Sequence, residues 1–174
     1  MVLKPPPNVS ETNFDTATWN IDKETLYFDN YITTMIEEMF LSGKVPMSRR
    51  GYAKILDLGL GGGYLNSYLH HNYPNMDITV VEHDPEILKI SRKWFDLKED
   101  ERHRVMLNDA AQFVRNAAKN GQVYDIIFVD ACGTKIKSWI ICPNQDFTRY
   151  EMAENLAKLL TERGMFLPVQ LRNQ

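Results

Sequence analysis

Apolar residues along this chain recur at two spacings. Phe28, Ile32, Met35, Ile36, Met39 and Phe40 return every three or four residues, which predicts an amphipathic helix over 24–42. Gly43 and Pro46 then stop it. Beyond that point, short apolar runs alternate with helical stripes. Strands are expected at 53–58, 77–82, 104–107, 124–130 and 165–170. The second is rich in β-branched residues. The fourth, Tyr124 to Asp130, is almost continuously apolar, the pattern of a strand buried on both faces. Helices between them are marked by Leu65, Tyr68 and Leu69, by Ile87, Ile90, Trp94 and Phe95, and by Phe113, Val114, Ala117 and Ala118. A last helix over 147–163 carries Met152, Leu156, Leu159 and Leu160, with Gly164 as its stop. Asp84-Pro85 supplies an N-cap followed by a proline that suits the first helical turn. Strands alternating with helices predict an α/β, Rossmann-like, doubly wound parallel sheet with helices on both faces. Residues 131–146 read as a long loop. Residues 1–23 read as a poorly ordered arm, and 24–174 as a single domain.

Composition narrows the partners. Of 174 residues, 44% are hydrophobic and 25% charged, enough for a packed core. Twenty Lys and Arg against 23 Asp and Glu leave a net charge of −3. No basic face is implied, so no nucleic-acid partner is expected, although Arg49-Arg50 leaves room for a local patch. No apolar run approaches the ~18 residues of a membrane span, and the Met-Val-Leu-Lys-Pro-Pro-Pro start lacks a secretory stretch. Two cysteines, Cys132 and Cys142, are too few for a disulfide scaffold or a four-thiolate zinc site. They fit a reducing compartment and a cytoplasmic location, and Cys132 is expected as a small buried residue. His70-His71, His83 and His103 have no partners at ligand spacing, so no metal is expected.

In a doubly wound sheet, ligands bind beyond the carboxyl ends of the strands. The first strand runs into Asp57-Leu58-Gly59-Leu60-Gly61-Gly62-Gly63, whose glycines permit a tight turn and close approach to backbone N–H groups. Tyr64 breaks the dinucleotide Gly-x-Gly-x-x-Gly pattern; acid-x-Gly-x-Gly-x-Gly fits instead. The second strand ends at Glu82, where an acid can accept both hydroxyls of a ribose or simply stand in solvent beside His83. The third ends in Asn108-Asp109-Ala110. There a carboxylate can accept from an adenine amino group and the Ala110 N–H can donate to a ring nitrogen; Asp109 also suits the N-cap of the following helix. The fourth ends at Asp130, facing the reacting end of such a ligand or bonding the Gly-rich loop.

Together these segments resemble the class I S-adenosylmethionine-dependent methyltransferases, on the branch that includes the spermidine synthases. Ile55 to Gly63 resembles the first motif, Val80 to Glu86 the acidic second, Asn108-Asp109-Ala110 the adenine motif and Tyr124 to Asp130 the fourth. Tyr27-Phe28-Asp29, Cys142-Pro143 and Gly164-Met165-Phe166 are most similar to the methyltransferase-like thirteen group, which methylates a lysine and the N-terminus of an elongation factor. The resemblance implies S-adenosylmethionine as cofactor and a protein amine as acceptor. It implies Asp57, Gly59, Gly61 and Gly63 around the methionine part, Glu82 at the ribose, Asp109 and Ala110 at the adenine, and Asp130 as the catalytic carboxylate.

Two departures qualify that reading. Aminopropyl transferases carry a second acid three residues after the fourth-strand Asp, where this chain has Gly133. Spermidine synthase activity with decarboxylated cofactor is therefore the alternative, beside a catalytically silent binding module. The family sheet also ends in an antiparallel hairpin, expected to be missing here: either the chain is a truncated form or fragment, or another segment, a homodimer or a partner chain covers the fifth-strand edge. Trp139-Ile140-Ile141 is expected to wall the acceptor site or an interface. Lys135, Lys137 and Arg149 are candidates to meet an acidic partner.

Overall fold

The computed structural model describes every residue except 1, 11, 13, 28–29, 134–139, 170 and 173–174. Its elements run β1 (Leu3–Lys4), β2 (Asn20–Ile21), α1 (Tyr31–Leu41), β3 (Lys54–Leu58), α2 (Tyr64–Asn72), β4 (Asp77–Glu82) and α3 (Pro85–Trp94). They continue with β5 (His103–Leu107), α4 (Ala110–Lys119), β6 (Tyr124–Val129), β7 (Ile140–Cys142), α5 (Tyr150–Lys158), β8 (Leu160–Pro168) and β9 (Leu171–Arg172). Five strands form a sheet in the order β5-β4-β3-β6-β8, all of them parallel. The order reverses between β3 and β6, which is where such folds open a crevice.

The strands alternate their side chains between two cores. Ile55, Ile78, Val80, Ile126 and Phe128 pack with Met35, Ile36 and Met39 of α1 and with Leu65, Leu69 and Leu88 of α2 and α3. Leu56, Leu58, Val81, Ile127 and Val129 pack on the other side with α4 and α5. The parity places Asp57, Glu82 and Asp130 on the α1 side of the sheet, two residues beyond Ile55, Val80 and Phe128.

Several boundaries depart from the sequence pattern. The helix expected over 24–42 begins only at Tyr31, because the Asn30 side chain caps it by accepting from the Ile32 N–H. Phe28 and Asp29 lie outside the described residues. The last helix ends at Lys158 rather than 163, and Gly164 sits inside β8. A register shift between Tyr124 and Ile126 absorbs the extra residues from Leu160 to Met165. The Gly164 position is confined: a Cβ there would come within 3.0 Å of the Tyr124 carbonyl oxygen.

The segment expected as one loop contains β7 and a 3-10 turn, Gln145–Thr148. β7 pairs antiparallel with β9, a ladder outside the five-strand sheet. Trp139, Lys135 and Lys137 lie outside the described residues. In the arm, β1 pairs with β2, and Lys23 reaches Asp96 at 2.9 Å. No helix among the described residues is long and apolar enough to cross a membrane.

Candidate active site at the β3–β6 switch point

A cavity of about 370 Å³ opens at the strand-order reversal. Asp57, Gly59, Leu60, Gly61, Gly62 and Asp130 line it, together with Asn30, Tyr31, Tyr64 and Phe95. Asp57, Gly59, Gly61 and Asp130 are thus brought together as the sequence suggests. Glu82, Gly63, Asp109 and Ala110 lie outside the lining.

The Gly-rich turn is held from several directions. The Gly59 N–H donates to the Val81 carbonyl at 2.9 Å, and the Gly63 N–H to the Leu60 carbonyl at 2.8 Å. The Ser91 hydroxyl on α3 donates to the Gly61 carbonyl at 2.8 Å. Gly59 has φ +110°, and a Cβ there would stand 2.6 Å from the Asp130 carbonyl oxygen. Its missing side chain therefore serves the contact between neighbouring strand tips, besides any contact with a ligand.

Glu82 is buried rather than solvated, at 7% exposure. Its Oε2 accepts from the Leu60 N–H at 3.0 Å and its Oε1 from the Asp84 N–H at 2.9 Å. His83 Nδ1 also stands 3.3 Å from Oε1, which leaves Oε2 the freer of the two for a further donor. Asn108 sits beside it, donating its N–H to the Glu82 carbonyl at 2.9 Å. Asp109 is the N-cap of α4, accepting from the Gln112 N–H at 2.7 Å. Four strand ends thus line one edge of the sheet, in the spatial order Asp109, Glu82, Asp57, Asp130.

Charge is concentrated at the cavity floor. Asp57 is 2% exposed, and its Oδ1 has no hydrogen-bond partner among the described residues. Burial pushes its carboxyl well above the usual carboxylate range, with Asp130 and then Glu82 adding repulsion. Burial likewise raises Asp130 to about 6, against a lowering by its hydrogen bond from Tyr31. That bond, from the Tyr31 hydroxyl to Asp130 Oδ2, is 3.0 Å long. The sequence reading missed Tyr31 because it lies off the apolar stripe of its helix and 99 positions from its partner. Strand parity, which puts Asp130 on the α1 side, was the usable signal.

The cysteines depart most from expectation. Cys132 and Cys142 form a disulfide with Cα atoms 4.4 Å apart. Cys132 is exposed and Cys142 buried, so Cys132 is not the small core residue expected. The histidines at 70 and 103 are also less isolated than their spacing suggests. Their rings stack with centroids 4.8 Å apart, and His103 is fully buried between Asn66 and the Lys98 carbonyl.

The fold matches known proteins. The human methyltransferase-like protein 13, solved in complex with SAH, superposes with a TM-score of 0.67 and 26% identity over 78% of this chain and 62% of that one. This places the architecture among the class I methyltransferase folds. The eEF1A lysine and N-terminal methyltransferase of Xenopus laevis is 30% identical over 148 residues, covering 84% of this chain. The chain spans only 21% of the length of that relative. A polyamine aminopropyltransferase of Vibrio vulnificus is 37% identical over 78 residues, 45% of this chain and 26% of the relative. Residues 32–172, most of the chain, match the spermine/spermidine synthase domain. The chain belongs to the spermine/spermidine synthase domain family.

Proposed function

We propose that the chain is an S-adenosylmethionine-dependent methyltransferase whose acceptor is an amine of a protein, with eEF1A the first acceptor to test. The observation that carries this reading is the buried Oδ1 of Asp57, without a partner among the described residues, on a cavity wall shared with Asp130. An acceptor buried without a partner costs ~1–3 kcal/mol. Two acids in one small cavity also repel. A cationic ligand relieves both, and the methionine part of the cofactor carries an ammonium and a sulfonium, so the residues present fit it.

Bound S-adenosylmethionine supplies an electrophilic methyl group. The chain's own residues do the rest. Asp57 holds the ammonium, and the Gly59–Gly63 turn lets the ligand approach the backbone. Glu82 takes the ribose hydroxyls with its remaining lone pairs. Asp109 and Ala110 meet the adenine, Asp109 keeping its N-cap bond. Asp130 orients the acceptor amine and receives its proton, a role suited to a carboxyl raised to about 6. Tyr31 fixes the carboxylate that does so. An elongation-factor acceptor would put the protein in the cytoplasm, where thiols are mostly kept reduced and the disulfides that do form tend to be transient and redox-sensing.

A second reading, aminopropyl transfer, is favoured by the Vibrio relative but lacks the extra acid at Gly133. Calorimetry with S-adenosylmethionine, S-adenosylhomocysteine and decarboxylated cofactor separates the two, followed by labelled-methyl transfer to eEF1A. Micromolar binding of the first two and label on a lysine or the N-terminus supports methyl transfer. Binding of the decarboxylated form alone refutes it.

A further inference from the structure

The Cys132–Cys142 pair stands beside the cavity and has no part in holding a nucleoside. Cys132 follows Asp130 by two residues and is exposed; Cys142, at the end of β7, is 1% exposed within the α1-side core. The bridge therefore ties the peptide leaving β6 to a buried anchor. One backbone bond joins the same segments, from the Asn144 N–H to the Ala131 carbonyl at 2.8 Å. The Cys132 sulfur lies 3.7 Å from Asp130 Oδ1. A bonded sulfur has no proton to give, so it leaves that oxygen open while Tyr31 engages Oδ2. The three ligand-type atoms lie within 4.8 Å, but sulfurs bonded to each other are not thiolates and offer no metal site.

We propose that Cys132–Cys142 is a redox modification site that sets methyl transfer: the bonded form positions Asp130 for the acceptor, and a thiol reductant switches the site off. The proposal rests on the reading of Asp130 as the acceptor-side carboxylate. A reductant thiolate attacks the exposed Cys132 sulfur. The S–S bond breaks, and Cys142 leaves as a thiolate that takes a proton from water. A second reductant thiol then attacks the mixed disulfide, forming the reductant's own disulfide and releasing Cys132. Two electrons pass from two reductant thiols to the pair. Access directs attack to Cys132 rather than to buried Cys142. The freed Cys132 thiol stays protonated beside a carboxylate and donates to Oδ1, competing with the acceptor amine. The peptide carrying Asp130 loses its covalent anchor at the same time. Both cysteines are positioning residues in this scheme.

The chain has two cysteines in all, so alkylation followed by intact mass reads the site directly. Protein treated with oxidised glutathione should take up no alkyl group, and dithiothreitol-treated protein two. Reduction should speed hydrogen exchange at the backbone of 130–132. It should lower kcat about tenfold, the scale on which misplacing a reacting group acts, with S-adenosylhomocysteine affinity held within about twofold. Cys132→Ser and Cys132→Ala should turn over slowly and ignore reductant, the serine variant with the lower rate. Two alkylated thiols after oxidant treatment would overturn the proposal, as would exchange or turnover that does not change on reduction. Loss of S-adenosylhomocysteine binding in both states would instead sink the methyltransferase reading, and alkylation with exchange would still decide the redox site.

Discussion

The Tyr31 hydroxyl donates to Asp130 Oδ2 at 3.0 Å, linking the first turn of α1 to the tip of β6. Burial and the neighbouring carboxylate push the phenol up, so it stays a donor across the working pH range. The bond in turn holds the Asp130 carboxyl lower than burial alone would. Tyr31→Phe should cut kcat about tenfold while leaving S-adenosylhomocysteine affinity within about twofold. The kinetic pKa assigned to Asp130 should rise in the variant. A pH–rate profile checks both; an unmoved profile would detach Tyr31 from the reaction.

Among the buried groups that make stability depend on pH, Asp130 and His103 act in opposite directions. Burial raises Asp130 from 3.8 to about 6, so the folded state holds its proton more tightly than the unfolded chain. That contribution is complete below about pH 4 and is lost as pH rises through about 6. Burial, then the adjacent His70, lowers His103 from 6.5 to about 4. Its contribution is complete above about pH 6.5 and is lost as pH falls through about 4. The two partly cancel in the same window. The Tm of Asp130→Asn relative to the wild-type protein should therefore climb between pH 4 and 7, as scanning calorimetry would record. Methyl transfer by the wild-type protein should rise with deprotonation of Asp130 over that range.

Asp57→Asn should separate binding from folding. The substitution keeps the side chain's size and removes a buried charge that repels Asp130 and Glu82. Ligand-free protein should melt at the same or a higher temperature at pH 8, while S-adenosylhomocysteine affinity drops more than tenfold, on the order of 1.4 kcal/mol or more. Unchanged affinity, measured by calorimetry, would remove Asp57 from the site.

Gly59→Ala should fail for a steric reason. The new Cβ would meet the Asp130 carbonyl oxygen at 2.6 Å, in a backbone conformation of φ +110°. A loss of ~2–4 kcal/mol is expected from strain and displacement together. Urea unfolding reads it. Gly61→Ala has open space at its Cβ and only the cost of φ +50°, so it should lose less.

Asp109 holds an N-cap bond and is also proposed to meet the adenine. Asp109→Ala should cost about 1 kcal/mol in folding stability and weaken cofactor binding. Asp109→Ser should restore most of the stability without restoring the binding. If serine rescues both, in paired unfolding and calorimetry experiments, the carboxylate is only a cap.

The central sheet was legible because its signals are local. Asp77–Glu82 and Ala110–Lys119 fall where β-branching, N-caps and apolar periods place them. Asp84 and Asp109 cap as their positions suggest. Elements shaped by distant partners were not legible. Leu159 and Leu160 continue a helical stripe in the sequence, yet pairing of Leu160 with Tyr124 draws the chain into β8. The meeting of Cys132 with Cys142, ten positions apart, is a tertiary contact that no period encodes. Asp57 and Asp130 were placed on a common cavity by their strand ends; the bond from Tyr31 needed the helix placed over the sheet.

The contact between Gly59 and the Asp130 carbonyl leaves no gap between the loop that would seat a donor molecule and the group that would meet its recipient. These two pieces of backbone are packed closely enough that displacement of one should displace the other. Ordering of the loop by an incoming nucleoside would quieten the far side of the crevice as well, so readiness for the second reactant would arrive with the first, and no separate hinge is called for.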